Sequence, residues 1–315
     1  MTGRRVFAVV RAGLYVAVLG FLGYQVFVHR GDVAAMVAAL GWGRFAAAVA
    51  IAAAGAWLGM AGWRALLAAF GCRLATPVAA KVYFVAGLGR YLPGGLWPAV
   101  AHADLARKLR EPPGLLASAF LASVLVSTVA GLAVGLVAVP ALAAVQPVWW
   151  VVVPLLAAGL LVIGTPPLTR TAAAIVRRRT GKTVVLPGPR AVFGAVGLMA
   201  AGWVLAGLHL VVLTRGVPIN GLPGTAVLLG GFALASVAGV LVVVLPAGLG
   251  AREAVLGLAL NVALAEPSVP AVVAVVAMSR LVVTAADLLT AGLSAFVRLS
   301  PDAAGVGPKQ PSAVD

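Results

Sequence analysis

The sequence predicts an all-α, polytopic integral membrane protein with seven or eight transmembrane helices, two of its helical stretches being broken or re-entrant. Of its 315 residues, 63% are hydrophobic and only 10% are charged, whereas an average soluble domain carries roughly 25% charged residues. A mean hydropathy of +1.10 leaves too few polar side chains to cover a water-soluble globule. This composition excludes an ordinary soluble enzyme, a disulfide-bonded secreted domain and a disordered chain.

The predicted spans follow one another along the chain. A spanning helix needs about 20 mostly apolar residues. The stretches assigned on this basis are Val6–Val28, Phe45–Phe70, Leu115–Val139, Val148–Thr165, Ala191–Thr214, Thr225–Leu245 and Val269–Val297. Val6–Val28 follows two arginines, as a signal peptide does. Its apolar run is too long for a signal peptide, so we expect an anchor that stays in the membrane.

Basic residues collect in alternate loops, and this sets the predicted orientation. Lys and Arg number 23 against 8 Asp and Glu, which gives a net charge of +15. They cluster before the first span, in 71–114 and in 166–190, whereas the loops 140–147 and 215–224 hold almost none. Cytoplasmic loops are the basic ones, so we expect both termini on the cytoplasmic side of the plasma membrane. The basic charge also suits anionic lipid head groups, and we expect no nucleic-acid partner.

Two apolar stretches are interrupted by proline and glycine, which predicts broken or re-entrant helices. Val78–Ala106 breaks at Leu92–Leu96 (LPGGL), and a second break at Leu245–Leu249 (LPAGL) precedes a short apolar return, Ala254–Ala265. Proline removes a backbone donor and glycine adds conformational freedom. Non-helical backbone at membrane depth needs protein or water to cover it.

The matching positions of the breaks favour an internal repeat. Each half would contain two spans, a broken hairpin and one long span. If each hairpin returns to its own side, each half crosses three times and the second half is inverted, a pattern typical of transporters. If Thr225–Leu245 crosses fully instead, Ala254–Ala265 becomes an eighth crossing.

Charged residues within or beside the apolar stretches are the candidate binding residues. An intramembrane charge costs about 2.5–3.5 kcal/mol on insertion scales and therefore usually has a task. Arginine binds phosphate bidentately and stays charged, and a helix that begins after a break offers free backbone N–H groups to an anion. The substrate-binding candidates are Arg90, Pro93, Gly94, Gly95, Trp97, Pro246, Gly248, Arg252, Glu253, Arg280 and Asp287.

These charges have two interpretations. In the first, Arg90, Arg252 and Arg280 surround a phosphate-bearing head group, while Glu253 and Asp287 hold the arginines when no lipid is bound. In the second, the charged side chains only neutralise one another between helices, Arg280 and Asp287 lying two turns apart on one helix face. We predict no catalytic residue, no metal site and no cofactor.

The two breaks resemble those of a known family. The stretches Lys81–Gly95 (KVYFVAGLGRYLPGG) and Leu245–Glu253 (LPAGLGARE) are similar to the flippase-like transmembrane domain of lysylphosphatidylglycerol synthases, which also occurs as free-standing proteins. The second stretch resembles the family element P-x-G-(I/L)-G-x-R-E most closely, whereas Trp97 and Pro98 depart from the usual first motif. The resemblance covers about residues 5–300, and we assign residues 1–300 to this domain. The remaining residues, 301–315, are rich in Pro, Gly, Ala and Ser, and we expect them to form a disordered cytoplasmic tail.

The resemblance implies a membrane protein that handles lipids, and we predict that it is not an enzyme. In the lysyl-lipid members this domain moves the aminoacylated lipid to the outer leaflet, and relatives have been linked to polyprenyl-phosphate glycan pathways. We therefore expect the substrate to be an anionic phospholipid, an aminoacylated lipid or a polyprenyl-phosphate-linked lipid. A separate lipid-modifying enzyme is a candidate partner, and the sequence leaves the oligomeric state open.

Two alternative functions remain. A polyprenyl-phosphate-dependent membrane glycosyltransferase would need an outward-facing carboxylate near the first span, for which Asp32 is the candidate. A non-transporting partner of a lipid-synthesis complex would form a stable stoichiometric assembly and move no lipid.

Overall fold

The computed structural model describes residues 37–92, 97–165, 187–242 and 248–299, together with the backbone of Ala304–Gly305. The predicted first span Val6–Val28, Asp32 and most of the basic loop 166–190 lie outside the described residues. The centres of both breaks, 93–96 and 243–247, lie outside them as well.

The described chain contains both long and short α-helices. The bounds are α1 Trp42–Ala69, α2 Thr76–Gly87, α3 Trp97–Lys108, α4 Pro113–Gly135, α5 Val139–Val145, α6 Val152–Gly164, α7 Pro189–Leu213, α8 Gly221–Leu241, α9 Ala251–Ala263 and α10 Val269–Ala295. Short 3₁₀ turns occupy Leu88–Tyr91, Leu136–Ala138 and Pro147–Val151. Proline lies in the first turn of α2, α4, α7 and α10, where its missing N–H would have had no partner inside the helix.

Six helical segments of the described chain are long and apolar enough to cross a membrane. They are α1, α4, α7, α8, α10 and the segment Pro147–Gly164 that contains α6. They coincide with the predicted spans from Phe45–Phe70 onward, which confirms an all-α polytopic membrane protein. The helix bounds differ most from the predicted ones at α4 and α8. α8 spans Gly221–Leu241, four residues earlier than predicted. α4 ends at Gly135, before the predicted Val139, because Leu136–Ala138 forms a tighter 3₁₀ turn.

Short helices flank the first break, whereas a long helix precedes the second break and a short one follows it. α2 and α3 have 12 residues each, so each is about 18 Å long and too short to cross the hydrocarbon core alone. In the second pair, α8 has 21 residues and α9 has 13. α8 is therefore about 31 Å long, enough to cross fully, and the two breaks lie in hairpins of unequal length.

Glycine allows the long helices to cross closely. α1 packs along α7, and a Cβ added to Gly55 would lie 2.7 Å from both the carbonyl oxygen of Gly202 and the Cβ of Ala206. On α4, Gly131 faces Val237 of α8 in the same way. Backbone approach of this kind is typical of helix packing in membranes, where small residues line the contacts.

The end of α10 is fixed to the start of the first hairpin. The ammonium group of Lys81 on α2 donates to the carbonyl oxygens of Ala295 and Val297, which have no partner within the helix. Residues Arg73–Leu74 (β1) pair antiparallel with Ala304–Gly305 (β2). Within the predicted tail 301–315, the structure describes only Ala304 and Gly305.

Candidate functional site

The middle of α10 lies between the two interrupted hairpins. Arg280, Thr284 and Asp287 fall on one face of α10, one helical turn apart. Side chains from the 3₁₀ turn that follows α2 reach Asp287, and a side chain from the start of α9 reaches Arg280. The fold thus brings together all five of the charged residues that the sequence singles out.

Asp287 binds the first hairpin. Its Oδ2 atom lies 3.5 Å from Nη1 of Arg90 and accepts a hydrogen bond of 2.8 Å from the Tyr91 hydroxyl. The Asp287 side chain is only 12% exposed, whereas that of Arg90 is 46% exposed. The 3₁₀ turn that carries both hairpin residues passes the start of α3 so closely that a Cβ on Gly89 would lie 2.8 Å from the nitrogen of Pro98.

Glu253 binds the second hairpin to α10. Its Oε1 accepts a hydrogen bond from Nη1 of Arg280, and its Oε2 accepts one of 2.7 Å from the backbone N–H of Gly250. The second bond satisfies a free donor at the start of α9. Gly250 has φ +85°, a conformation that glycine adopts at no steric cost. One carboxylate therefore both caps α9 and holds Arg280.

Among the charged side chains of this cluster, Arg252 has a buried nitrogen that no described residue binds. Its guanidinium carbon lies 5.5 Å from the ring centroid of Phe232 on α8, a cation–π contact. Its Nη2 is buried and has no hydrogen-bond partner among the described residues. The positive charge of Arg280 is close enough to repel that of Arg252. A buried donor without an acceptor, beside a second cation, is unfavourable unless an anion fills the position.

His209 on α7 contacts the phenylalanine ring that Arg252 packs against. Its ring lies 4.9 Å from Phe232. Its Nδ1 bonds the carbonyl oxygen of Ala206, and its Nε2 is 2.8 Å from Oγ of Ser279. Because both nitrogens have partners, His209 fixes the position of the ring on which Arg252 rests.

His102 belongs to a separate buried group in the first hairpin. Its Nδ1 bonds the carbonyl oxygen of Pro98 at 2.8 Å, and its ring stacks on Phe120 at 4.5 Å. Its Nε2 and the Nε1 of neighbouring Trp63 are both buried without a partner among the described residues. These contacts do not join His102 to the arginine cluster.

The remaining predicted site residues fall into two groups. Pro93, Gly94, Gly95 and Pro246 lie outside the described residues. Gly248, with φ +67°, packs its backbone against Gly239 on α8, where a Cβ would overlap. Trp97 is the first residue of α3, and its carbonyl carbon lies close to Gly89. Gly248 and Trp97 therefore help shape the hairpins.

Sequence reasoning missed Tyr91, Thr284 and Phe232. Two of them could have been identified from the sequence, because Tyr91 follows Arg90 directly and Thr284 lies one turn from each charged residue of α10. Phe232 could not, because α8 is apolar around its whole circumference and nothing in the sequence shows which residue faces Arg252.

The cluster is suited to binding an oxyanion. It presents guanidinium donors and a helix start, both of which favour negative charge. In the described part of the chain, no three His, Cys, Asp or Glu side chains are close enough to share a metal ion.

Comparison of the chain with protein-family models, curated proteins and solved structures gave no significant match. The resemblance carried by Lys81–Gly95 and Leu245–Glu253 therefore stays a prediction, and the function is argued from the side chains themselves.

Proposed function

We propose that this protein binds the anionic head group of a lipid at the cluster of Arg90, Arg252 and Arg280 and moves that lipid between the leaflets of the plasma membrane. The observation that carries the proposal is Nη2 of Arg252, which is buried near Arg280 and has no hydrogen-bond partner in the part of the chain that the structure describes. A phosphate oxygen at this position would accept the free hydrogen bond and separate the two positive charges. Lipid is the phosphate-bearing molecule most abundant around a membrane-spanning helix bundle.

The exposure of the arginines suggests how a head group enters. Arg90 is 46% exposed, whereas the Nη2 of Arg252 is buried. A head group could bind first at Arg90, while its acyl chains stay in the bilayer, and then reach Arg252. On arrival it would compete with Asp287 for Arg90 and with Glu253 for Arg280, so binding loosens the bonds that hold each hairpin against α10.

The helix contacts are those expected of an internal repeat. α1 packs along α7; α4 contacts α7 and α8, as α10 contacts α1 and α2; and α3 contacts α4, as α9 contacts α10. If α1, α2, α3 and α4 are matched in order with α7, α8, α9 and α10, each of these contacts has a counterpart between the matched helices. Inverted repeats with a binding site at broken helices are the architecture of alternating-access transporters. In this proposal movement of the lipid is downhill or ion-coupled, and both termini are cytoplasmic.

The substrate classes left by the sequence are an anionic phospholipid, an aminoacylated lipid and a polyprenyl-phosphate-linked lipid. All three carry a phosphate that an arginine cluster can bind. The resemblance of the two breaks to the flippase-like domain of lysylphosphatidylglycerol synthases supports lipid movement as the activity.

The test is lipid movement by the purified protein in vesicles. Phosphatidylglycerol with a fluorophore on one acyl chain reports movement as the fraction that an impermeant quencher reaches with time. We expect movement with the natural sequence, none with Arg252→Ala, and normal movement with Arg215→Ala, which removes an exposed arginine outside the cluster. Gel filtration and circular dichroism establish that each variant is folded.

Normal movement by folded Arg252→Ala would rule out this site. A stable stoichiometric partner, together with no movement by the natural sequence, would favour the scaffold function instead.

A further inference from the structure

The charge balance of the arginine cluster restricts the kind of anion that it can hold. Among the described residues, the cluster contains the guanidinium groups of Arg90, Arg252 and Arg280 and the carboxylates of Glu253 and Asp287. Both carboxylates are engaged, each with one arginine. With these groups ionised, the cluster carries one excess positive charge, and that charge is located at Arg252.

The other titratable groups near the cluster do not change this balance. The Tyr91 hydroxyl is a donor to Asp287 and therefore carries its proton. Tyr83, on the same hairpin, interacts electrostatically with Arg90 and Asp287, and a neutral phenol adds no charge. A neutral His209 satisfies both of its partners, because Nδ1–H donates to the Ala206 carbonyl and Nε2 accepts from Ser279. Among the described residues near the cluster, no group other than its three arginines and two carboxylates needs a formal charge.

A ligand with one negative charge makes the cluster neutral, whereas a ligand with two leaves one negative charge uncompensated. Uncompensated charge is strongly unfavourable in the low-dielectric interior of a membrane protein. The position of the free donor agrees: among the described residues, Nη2 of Arg252 is buried without a hydrogen-bond partner, whereas each carboxylate already holds its own arginine.

We propose that the ligand of this cluster is a phosphodiester with a single negative charge. This rests on the proposed function and selects among its substrates. Glycerophospholipids such as phosphatidylglycerol qualify, as do glycosyl esters of a polyprenyl monophosphate. Phosphate monoesters, which approach two negative charges above pH 6 to 7, and polyprenyl diphosphates do not.

The test compares short-chain probes at pH 8 on the purified full-length protein. The singly charged probes are dioctanoyl phosphatidylglycerol and a short polyprenyl phosphomannose, which distinguish the two sources of a phosphodiester. The more highly charged probes are dioctanoyl phosphatidic acid and farnesyl diphosphate, and dioctanoyl glycerol is the neutral control. We expect at least one phosphodiester to bind about tenfold or more tightly than either highly charged probe.

Two variants test the charge argument directly. Asp287→Asn raises the excess charge of the cluster by one, so we expect the preference for phosphatidylglycerol over phosphatidic acid to shrink about tenfold or to reverse. Arg252→Gln lowers the excess charge by one, so we expect weaker binding of both phosphatidylglycerol and phosphatidic acid. If Asp287→Asn does not fold, Glu253→Gln makes the same change of charge at the other pair.

The outcomes separate the two proposals. Tighter binding of phosphatidic acid or farnesyl diphosphate by the natural sequence overturns the phosphodiester inference and leaves the lipid site standing. An unchanged preference in the folded charge variants also overturns the inference. If no probe binds better than dioctanoyl glycerol, the proposed function fails and the inference fails with it.

Discussion

Glu253 performs two functions that substitution can separate. One oxygen of its carboxylate accepts from Arg280, and the other caps α9 at the Gly250 N–H. Glu253→Gln keeps a side-chain oxygen for the cap and loses the negative charge. Glu253→Ala loses both bonds, so the difference between the two variants measures the cap.

The loss of stability in each Glu253 variant can be worked out from the two hydrogen bonds of its carboxylate. A side-chain cap of this kind contributes about 1 kcal/mol. A hydrogen bond to a charged group contributes about 1.5–3 kcal/mol in soluble proteins, but polar bonds between membrane helices average about 0.6 kcal/mol and reach about 1.7 kcal/mol. The side chains of Arg280 and Glu253 are 24% and 28% exposed, which places this pair at about 1–1.5 kcal/mol. We therefore expect a destabilisation of about 1 kcal/mol for Glu253→Gln and 2–2.5 kcal/mol for Glu253→Ala.

The assay is reversible unfolding in mixed micelles, with the free energy of unfolding determined for each variant. Repeating the Glu253→Ala measurement in an Arg280→Met background removes the pair and leaves about 1 kcal/mol for the cap. Equal losses for Glu253→Gln and Glu253→Ala would show that the cap contributes nothing. An unchanged effect of Glu253→Ala in the Arg280→Met background would show that the ion pair contributes nothing.

Two further predictions concern packing and reactivity. Gly55→Ala places a methyl group 2.7 Å from Ala206 and should destabilise the fold by about 1–3 kcal/mol. Gly197→Ala, with no atom within 4 Å, should be neutral or stabilising by up to about 1 kcal/mol; equal effects on the free energy of unfolding would contradict the close α1–α7 crossing. Burial, and then Glu111, raise the pKa of Cys72 to about 12, so maleimide labelling of this single cysteine should be slow at pH 7 and rise about tenfold per pH unit up to pH 10. Glu111→Gln should speed it, and labelling at the rate of a free thiol would refute the assignment.

The long helices could be predicted because composition alone determines them. An apolar run of about 20 residues has few stable alternatives in a bilayer, where every backbone group needs an internal partner. The end of α4 was less predictable. Leu136, Val137 and Ala138 are as apolar as the residues before them, and the change to a 3₁₀ turn shows in the sequence only through the Pro140 that follows.

The candidate site was predictable in its residue types and unpredictable in its pairing. Arg280 and Asp287 share a helix face and looked like partners, yet each pairs with a different hairpin, Arg280 with Glu253 and Asp287 with Arg90. Which charges meet depends on how the hairpins pack against α10, and no local pattern encodes that. The cation–π contact of Arg252 depends on the rotation of α8 about its own axis, and a uniformly apolar helix gives no sign of it.

The central claim is that the arginine cluster holds a lipid phosphate, and the most direct measurement is the identity of the lipids that stay bound. Gently purified protein, Arg252→Ala and the exposed control Arg215→Ala would be analysed side by side by mass spectrometry. We predict one anionic lipid enriched in the natural sequence and in Arg215→Ala, and lost in Arg252→Ala. Only bulk lipid in all three would contradict the account and leave the cluster as a network of charges that neutralise one another between helices.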